Sequence, residues 1–490
     1  MGKKPAWFKG IFPALVTPFR SDGSLDEEAY RELIRFLLPH VDGFLAAGTT
    51  GEFVYLSSEE RKRVIEITLE EAGGKVPVIA GTGAPSTRET LELTRFAKAA
   101  GADAALVVTP FYLKPTYNEI YDHYRAVDKV GIPIIIYNIP QCAGTHHEWW
   151  TAEGSLLDLE NVIGIKDSSG DIPFLMALIE KVWGEVGIFT GHDETVVAAL
   201  AAGADGAILA SANLVPDIWQ KIYQAVKAGD LDTAREWQRK IQKIIRIVVR
   251  QGSTQAVKEG LMMMGLKVGN SRFPMMPGDA FRREDREEIR FELEALGKIP
   301  RREVEYHLGN ETVKASFPVA YQVNKRTFDL TFAVGEGFSG PPFHEIAHID
   351  LVMGVKDGPV GRAAERALKE ERPGHELAVI RERPKVILVP TVTVRTARQR
   401  HQIYEVAARG INKAIDWMIN DGTLPEAILD KIVMIVNAFV HPSAAIERRI
   451  ELNNFKAMRA AIRKAIEGRP VLEEILNEKD AARHPFKYAP

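Results

Sequence analysis

Apolar residues fall into two alternating patterns along the first 215 positions of the chain. Short, almost uniformly apolar and largely β-branched runs recur eight times, at Pro13–Phe19, Gly43–Gly48, Val76–Gly81, Ala104–Pro110, Pro133–Asn138, Val162–Asp167, Gly187–Gly191 and Gly206–Ser211. Between them lie amphipathic stretches with the three-to-four spacing of a helix face, such as Leu25–Leu38, Glu59–Ala72 and Thr87–Ala100. The short runs lack the apolar-polar alternation of a half-exposed strand, so they read as strands buried on both faces. Strict alternation of such strands with helices, eight times over, predicts a parallel (β/α)8 TIM barrel. A doubly wound sheet is the rival, but it needs no eighth strand. Its first strand usually runs into a glycine-rich nucleotide loop, whereas this one runs into Thr17-Pro-Phe-Arg-Ser-Asp-Gly23.

The pattern changes after the polar, proline-bearing stretch Gly297-Lys-Ile-Pro-Arg-Arg-Glu303. A strand pair is expected at Thr312–Val323 and Thr327–Val334, and alternation along Ile346–Leu351 puts His348 and Asp350 on one face of a strand. β-rich runs at Leu377–Arg381 and Val386–Arg395 precede a long helix pattern, Ala397–Asn420. A last strand, Lys431–Val440, and a helix from Ala444 to Ile466 follow. Strands with helices gathered on one side predict an α+β domain. The expected organisation is a barrel over 1–300, a linker over 301–321 and a second domain over 322–490.

Composition narrows the function classes. The 490 residues are 46% hydrophobic and 26% charged with a net charge of −3, the balance of an ordinary globular enzyme and no recommendation for a nucleic-acid or membrane partner. Residues 1–300 carry −7 and the remainder +4, and seven of the twelve histidines lie in the shorter second part, so that part is where imidazole chemistry is sought. A single cysteine, Cys142, leaves no intrachain disulfide and no thiolate zinc cluster. No apolar run approaches the roughly 20 residues of a membrane span, and the start lacks the apolar core of a secretory signal, so a cytoplasmic protein is expected.

In a barrel of this kind chemistry sits at the carboxyl ends of the strands. The reactive side chains there are Thr17, Thr49, Thr50, Tyr112, Tyr137, Lys166, His192, Asp193 and Ser211. Lys166 stands out, at the end of the otherwise apolar run Val162-Ile-Gly-Ile-Lys166. A lysine so placed either pairs with a carboxylate, Asp167 or Asp193, or is a desolvated amine able to form a Schiff base.

Five motifs in order, Gly48-Thr-Thr-Gly-Glu52, Thr109-Pro-Phe-Tyr-Leu-Lys-Pro115, Tyr137-Asn-Ile-Pro140, Gly164-Ile-Lys-Asp167 and Gly206–Asn213, resemble the signatures of the dihydrodipicolinate synthase / N-acetylneuraminate lyase superfamily over about residues 8–298. The resemblance implies a class I lyase or aldolase without an external cofactor, in which Lys166 forms a Schiff base with pyruvate or another 2-oxo acid. It implies further that Tyr137 is the acid/base, that Thr49 and Thr50 hold the 2-oxo carboxylate and relay protons, and that Ile208 lines the substrate site. Tyr112 is similar to the relay tyrosine that family members insert into a neighbouring subunit, which implies a homo-oligomer, a tetramer through the barrel. In the synthases an arginine two residues after the Tyr-Asn-Val-Pro proline grips the aldehyde substrate's carboxylate; that position is Cys142 here. Without the bidentate clamp, the aspartate-semialdehyde reaction is not expected.

The second part carries its own resemblance. Ala347-His-Ile-Asp-Leu351, Lys356–Gly361, Val389-Pro-Thr-Val-Thr-Val394, Phe439-Val-His-Pro442, Asn453–Ala457 and His484-Pro-Phe486 look like the formaldehyde-activating enzyme, over about 322–490. That family condenses formaldehyde with tetrahydromethanopterin on a fold similar to ribosomal protein S5 domain 2. The resemblance implies that His348 is a general acid, that Asp350, Leu377 and Thr393 line the pterin site, and that the domain adds further assembly contacts. No third ligand at recognisable spacing joins His348 and Asp350, so no metal is expected. Two positions depart from the pattern: a family lysine is Thr391, and a family glutamine falls at Ala408. The fusion joins an aldolase to a domain whose relatives capture the smallest aldehyde. It predicts either a bifunctional enzyme or an aldolase carrying a noncatalytic binding or assembly module.

Overall fold

The computed structural model describes residues 3–145, 149–182, 184–250, 254–275, 281–316, 327–340, 344–370 and 372–468, and the chain divides into units Met1–Ile299 and Pro300–Pro490. In the first unit eight strands, β1 (Gly10–Pro13), β2 (Phe44–Ala46), β3 (Val78–Gly81), β4 (Ala104–Val108), β5 (Ile134–Asn138), β6 (Val162–Asp167), β7 (Gly187–Thr190) and β8 (Gly206–Leu209), pair in parallel in the order β1-β8-β7-β6-β5-β4-β3-β2. A parallel bridge from Ala14 to Leu45 closes β1 onto β2. The helices between them begin where the sequence supplies caps: Ser57 and Glu60 form a reciprocal capping box for Ser58–Ala72, and the Ser86 side chain accepts from Glu89 N at the start of Thr87–Ala100. The expected (β/α)8 barrel is present.

The first strand lies earlier than its apolar run. Pairing covers Gly10–Pro13 rather than Pro13–Phe19. The run from Ala14 to Phe19 is buried but irregular, and Phe19 is sandwiched by two cations, Lys258 Nζ at 4.4 Å and Arg272 Cζ at 4.3 Å from its ring centroid. Burial against other side chains, not ladder pairing, accounts for its hydrophobicity.

An aromatic plug fills the barrel's amino-terminal end. Phe8 stacks on Phe189 with ring centroids 4.3 Å apart, and Phe12 meets Phe189 edge-on at 5.6 Å. Gly164 is required beside it, because a Cβ there would stand 2.5 Å from the Phe8 ring and 2.3 Å from the Gly187 carbonyl oxygen. The space left open is therefore at the opposite, carboxyl-terminal end.

In the second unit, β9 (Glu303–Leu308), β10 (Glu311–Ser316) and β11 (Thr327–Asp329) form a small sheet ordered β10-β9-β11. β12 (Phe332–Ser339), β13 (Ala347–Val355), β14 (Ala378–Glu382), β15 (Lys385–Pro390) and β16 (Ile432–Val440) form a five-stranded sheet ordered β12-β13-β16-β15-β14. The segment read as a linker, 301–321, is thus corrected: β9 and β10 pair along Glu303–Ser316, and Val304, Tyr306 and Leu308 join the second unit's core. Their alternation is real strand periodicity, masked in the sequence by intervening Glu and His. The expected strand Thr312–Val323 is paired only to Ser316, and its remainder lies outside the described residues. Val386–Arg395 ends as a strand at Pro390, and the helix expected over Ala397–Asn420 is present but carries a π-helical segment, Gln402–Ala407.

One face of the large sheet is packed by the helices Ala408–Asn420 and Glu447–Glu467. β12 approaches the second of these so closely that Cβ atoms on Gly335 and Gly337 would lie 1.9 and 1.8 Å from the Ala461 and Ala457 carbonyl oxygens. Alternation then turns Glu336 to the opposite face, which the helix Pro359–Ala367 covers in part.

His123 gives the barrel a built-in acid sensitivity. It is buried, with Nδ1 2.9 Å from Thr87 Oγ1, and loss of water lowers its pKa from 6.5 to about 4. Between those values the unfolded imidazole takes up a proton that the folded one refuses, so stability falls as pH drops through that window. One proton contributes at most about 1.4 kcal/mol per pH unit. Urea titrations of the barrel transition at pH 7 and pH 5 should show a shallower loss in His123→Gln than in the wild type.

Candidate active site

At the carboxyl ends of the strands opens a cavity of about 800 Å³, lined among others by Thr49, Thr50, Tyr137, Lys166, Asp193 and Ile208. Tyr137 on β5 and Lys166 on β6 are direct partners in the parallel register, so both side chains point into the barrel at the same height. Lys166 is buried, with Nζ 4.2 Å from the centroid of the Tyr137 ring, a cation–π distance.

Lys166 makes no ion pair with a described residue. The two carboxylates open to it from the sequence are engaged elsewhere. Asp167 accepts from Asn138 Nδ2 at 2.7 Å and from Ser169 Oγ at 2.8 Å. Asp193 accepts from the Ser211 hydroxyl and from Ser211 N; its burial pushes the carboxyl's pKa up, the Ser211 bonds opposing the shift. The Ser211 oxygen in turn accepts from Trp219 Nε1 at 2.8 Å, so Asp193 is locked. Ser168 Oγ donates to the Tyr137 hydroxyl oxygen at 3.5 Å. Gly191 leaves the room Lys166 occupies: a Cβ there would stand 2.6 Å from Lys166 Cε.

Thr49 and Thr50 reach the cavity on the turn after β2. Thr17 does not line it; its hydroxyl donates to the Gly51 carbonyl at 2.6 Å. Tyr112 is 93% exposed, with φ of +77°, and does not line its own chain's cavity, where Phe111 stands instead. Cys142 lines the rim at the position of the family's arginine, and the water it loses there pushes its thiol pKa up, which disfavours a thiolate nucleophile. Ser168, Ser169 and Gln141 also line the cavity, with Gln141 Nε2 donating to the Ser168 carbonyl at 2.8 Å. The sequence reading missed them as site residues, although two serines directly after the strand-end lysine were a usable signal. His146 and His147 lie outside the described residues.

In the second unit His348 Nε2 is 2.8 Å from Glu336 Oε1 and 3.4 Å from Asp350 Oδ1. With two acceptor-only carboxylates around it, Nε2 carries the hydrogen. Glu336 is absent from the sequence-based site because it arrives from β12, whose register sets it opposite Asp350. Ligand atoms of these three residues lie within 4.8 Å of one another, close enough to hold one divalent cation. The expectation of no third ligand is corrected by this cross-strand carboxylate. Leu377 packs with Val352 and Ile435 on the sheet face that bears His348. β16 and β15 separate β13 from β14, which follows Leu377, and Thr393 Oγ1 is bonded to His375 Nε2 at 3.0 Å. Thr391 caps β15 by bonding the Ala438 carbonyl, and Ala408 is packed in the core. The motif His484-Pro-Phe486 lies outside the described residues.

Fold and site together define a (β/α)8 enzyme with a strand-borne lysine and tyrosine in one pocket, followed by a separate α+β unit. Residues 7–295 match the model of the dihydrodipicolinate synthetase family, and 334–487 match that of the formaldehyde-activating enzyme. The chain belongs to the dihydrodipicolinate synthetase family and carries a formaldehyde-activating-enzyme domain behind the barrel. It is 41% identical over 272 residues to the 4-hydroxy-tetrahydrodipicolinate synthase of Nitratidesulfovibrio vulgaris (strain DSM 19637 / Miyazaki F), covering 55% of this chain and 93% of that protein. It is 37% identical over 295 residues to the synthase of Methanopyrus kandleri, covering 60% and 97% respectively. The crystal structure of the dihydrodipicolinate synthase from Acinetobacter baumannii complexed with pyruvate superposes with a TM-score of 0.57 at 37% identity, over 60% of this chain and all of that one. The enzyme from Thermotoga maritima gives 0.58 at 32% identity, with the same coverage.

Filling the space beside Lys166 should disable it without unfolding the barrel. Gly191→Ala is expected to push the lysine aside by about an ångström and slow its reaction with a carbonyl compound trapped by borohydride roughly 10²-fold, the scale of such misplacements. A crystal structure of the variant and the trapping rate check both parts.

Proposed function

We propose that the barrel is a Schiff-base lyase or aldolase for pyruvate or another 2-oxo acid. The observation that carries this reading is a buried lysine without a described counter-ion, in register with a tyrosine inside the cavity. The free amine of Lys166 attacks the keto carbon, water leaves, and the resulting iminium accepts the electron pair when a carbon–carbon bond forms or breaks. Tyr137 exchanges the proton with the aldehyde oxygen, and Ser168 orients its hydroxyl. Thr49 and Thr50 hold the acid's carboxylate, and Ile208 closes the apolar side. Among the described residues that line the cavity none is an arginine, and Cys142 stands where the family's clamp would be, so the second substrate is an aldehyde other than aspartate semialdehyde. The protein acts in the cytoplasm as a homo-oligomer in which Tyr112 completes a neighbour's site.

The second domain binds formaldehyde, with His348 as the acid that helps expel water when formaldehyde condenses with the amine of tetrahydromethanopterin. A second reading, a noncatalytic binding or assembly module, is favoured by the core position of Ala408, where the family carries a glutamine.

Pyruvate with borohydride should covalently modify Lys166, located by mass spectrometry, and Lys166→Ala should abolish trapping. Modification at another lysine would sink the proposal. Tyr137→Phe should retain trapping and lower aldol turnover by roughly 10²–10⁴, measured at steady state. For the second domain, losing a cationic donor at Thr391 is worth about 1.5–3 kcal/mol, or roughly ten- to 150-fold in binding. Stopped-flow condensation of tetrahydromethanopterin with formaldehyde should therefore be weak or absent in the full chain, with His348→Ala removing what remains. A rate matching authentic family members would restore full pterin activity to the domain.

A further inference from the structure

The turn that carries Thr49 and Thr50 is held by Glu52, Thr254 and Lys258, of which Glu52 and Thr254 also border the cavity. Glu52 ends this turn with φ of +58°, a left-handed conformation that costs a residue with a Cβ of order 1 kcal/mol or more. Its carboxylate is buried and lies 2.7 Å from Lys258 Nζ, itself wholly buried, and it accepts from Arg272 N at 2.8 Å. Lys258 sits on the helix Thr254–Met263 and also donates to the Asn270 carbonyl at 3.1 Å. One turn earlier on the same helix, Thr254 Oγ1 donates to the Thr50 carbonyl at 3.1 Å. Thr17 Oγ1 takes the Gly51 carbonyl from the other side.

A buried ion pair is weak evidence for a stabilising role, because the cost of removing both charges from water rivals their attraction. Burial pulls the Lys258 pKa down to about 8 even with Glu52 beside it. A positive φ and a buried carboxylate, paired with a buried lysine from a distant helix, are thus placed at the end of a turn that brings two threonines to the cavity. Among the described residues those hydroxyls have no hydrogen-bond partner of their own, so the framework fixes them for something else to bind.

We propose that Glu52, Thr254 and Lys258 are positioning residues that set the Thr49–Thr50 turn to receive the carboxylate of the 2-oxo acid. This rests on the assignment of Thr49 and Thr50 to that carboxylate. Helix Thr254–Met263 acts as the base of the turn: its threonine holds one peptide carbonyl, and its lysine holds the glutamate that closes the turn. The role is confined to carboxylate affinity, because the bonds these side chains make run to the turn and to each other: Thr254 to the Thr50 carbonyl and Lys258 to Glu52.

The test uses the full-length chain, with the pyruvate concentration that gives half-maximal borohydride trapping as the measure of affinity, the maximal trapped fraction as the measure of imine chemistry, and the melting temperature as the measure of folding. Thr254→Val, which removes one hydroxyl at nearly constant volume, should raise the half-saturating pyruvate concentration about three- to tenfold, with the maximal trapped fraction and melting temperature unchanged. Glu52→Gln should raise it further. A double variant, Glu52→Gln with Lys258→Met, removes the buried charge left by the single change and should recover stability but not affinity. If Thr50→Val raises the half-saturating concentration and neither Thr254→Val nor Glu52→Gln does, the positioning proposal is overturned while the carboxylate assignment stands. If Thr50→Val has no effect either, the assignment itself fails and the proposal falls with it. Loss of melting temperature in all variants at unchanged half-saturation would make these residues purely structural, which also overturns it.

Discussion

The parallel register between β5 and β6 is the constraint on which the barrel's chemistry rests. Side chains on neighbouring parallel strands project to the same face at the same level, so pairing Tyr137 with Lys166 places a phenol beside an amine without any loop to position them. Rigid strands hold such a pair more tightly than loops would. The remaining features follow from giving a buried lysine room and no direct ion-pair contact among the described residues. The Phe8–Phe189 stack fills the lower barrel, Gly191 leaves the lysine's volume open, and Ser211 and Asn138 occupy the two nearest carboxylates.

The second unit reaches a comparable end by a different route. Its sheet buries one face under two helices and the other in part under the helix Pro359–Ala367, and the glycine-to-helix contact at Gly335 and Gly337 decides which face Glu336 takes. His348, Asp350 and Glu336 meet across two antiparallel strands, where directly opposed residues have Cβ atoms about 4.5–5.5 Å apart. The contrast is one of solvent: the barrel lysine is buried, whereas Glu336 and Asp350 stand at the surface, where water screens them. Charge pairs of the second site are consequently weaker determinants of geometry than the strand register that assembles them.

The two units also differ in how far they keep to their families' patterns. The barrel retains the lysine, tyrosine and paired threonines and carries Cys142 at the cavity rim. The second unit retains His348 and Asp350 and departs from the pattern at Thr391, which bonds the Ala438 carbonyl, and at Ala408, which is packed in the core.

Local chemistry decided much of this protein in advance. Eight apolar runs separated by amphipathic helices required strands buried on both faces, and seven of the eight strands overlap the runs along most of their length because ladder pairing and burial coincide there. A lysine closing an apolar strand was recognisable as a site because a cation at such a position demands a reason. Sequence periodicity misleads at two places: Ala14–Phe19 is apolar because it is buried against the barrel core although largely unpaired, and Glu303–Ser316 looks like a linker although it is paired and half-buried. Whether Lys166 has a counter-ion, that Glu52 is tied to a lysine 206 positions away, and that Glu336 stands beside His348 were settled only in three dimensions. Each is a contact between residues distant along the chain or on different strands, set by register and by which neighbour claims a hydrogen bond first, and neither is encoded in the local period of hydrophobic positions.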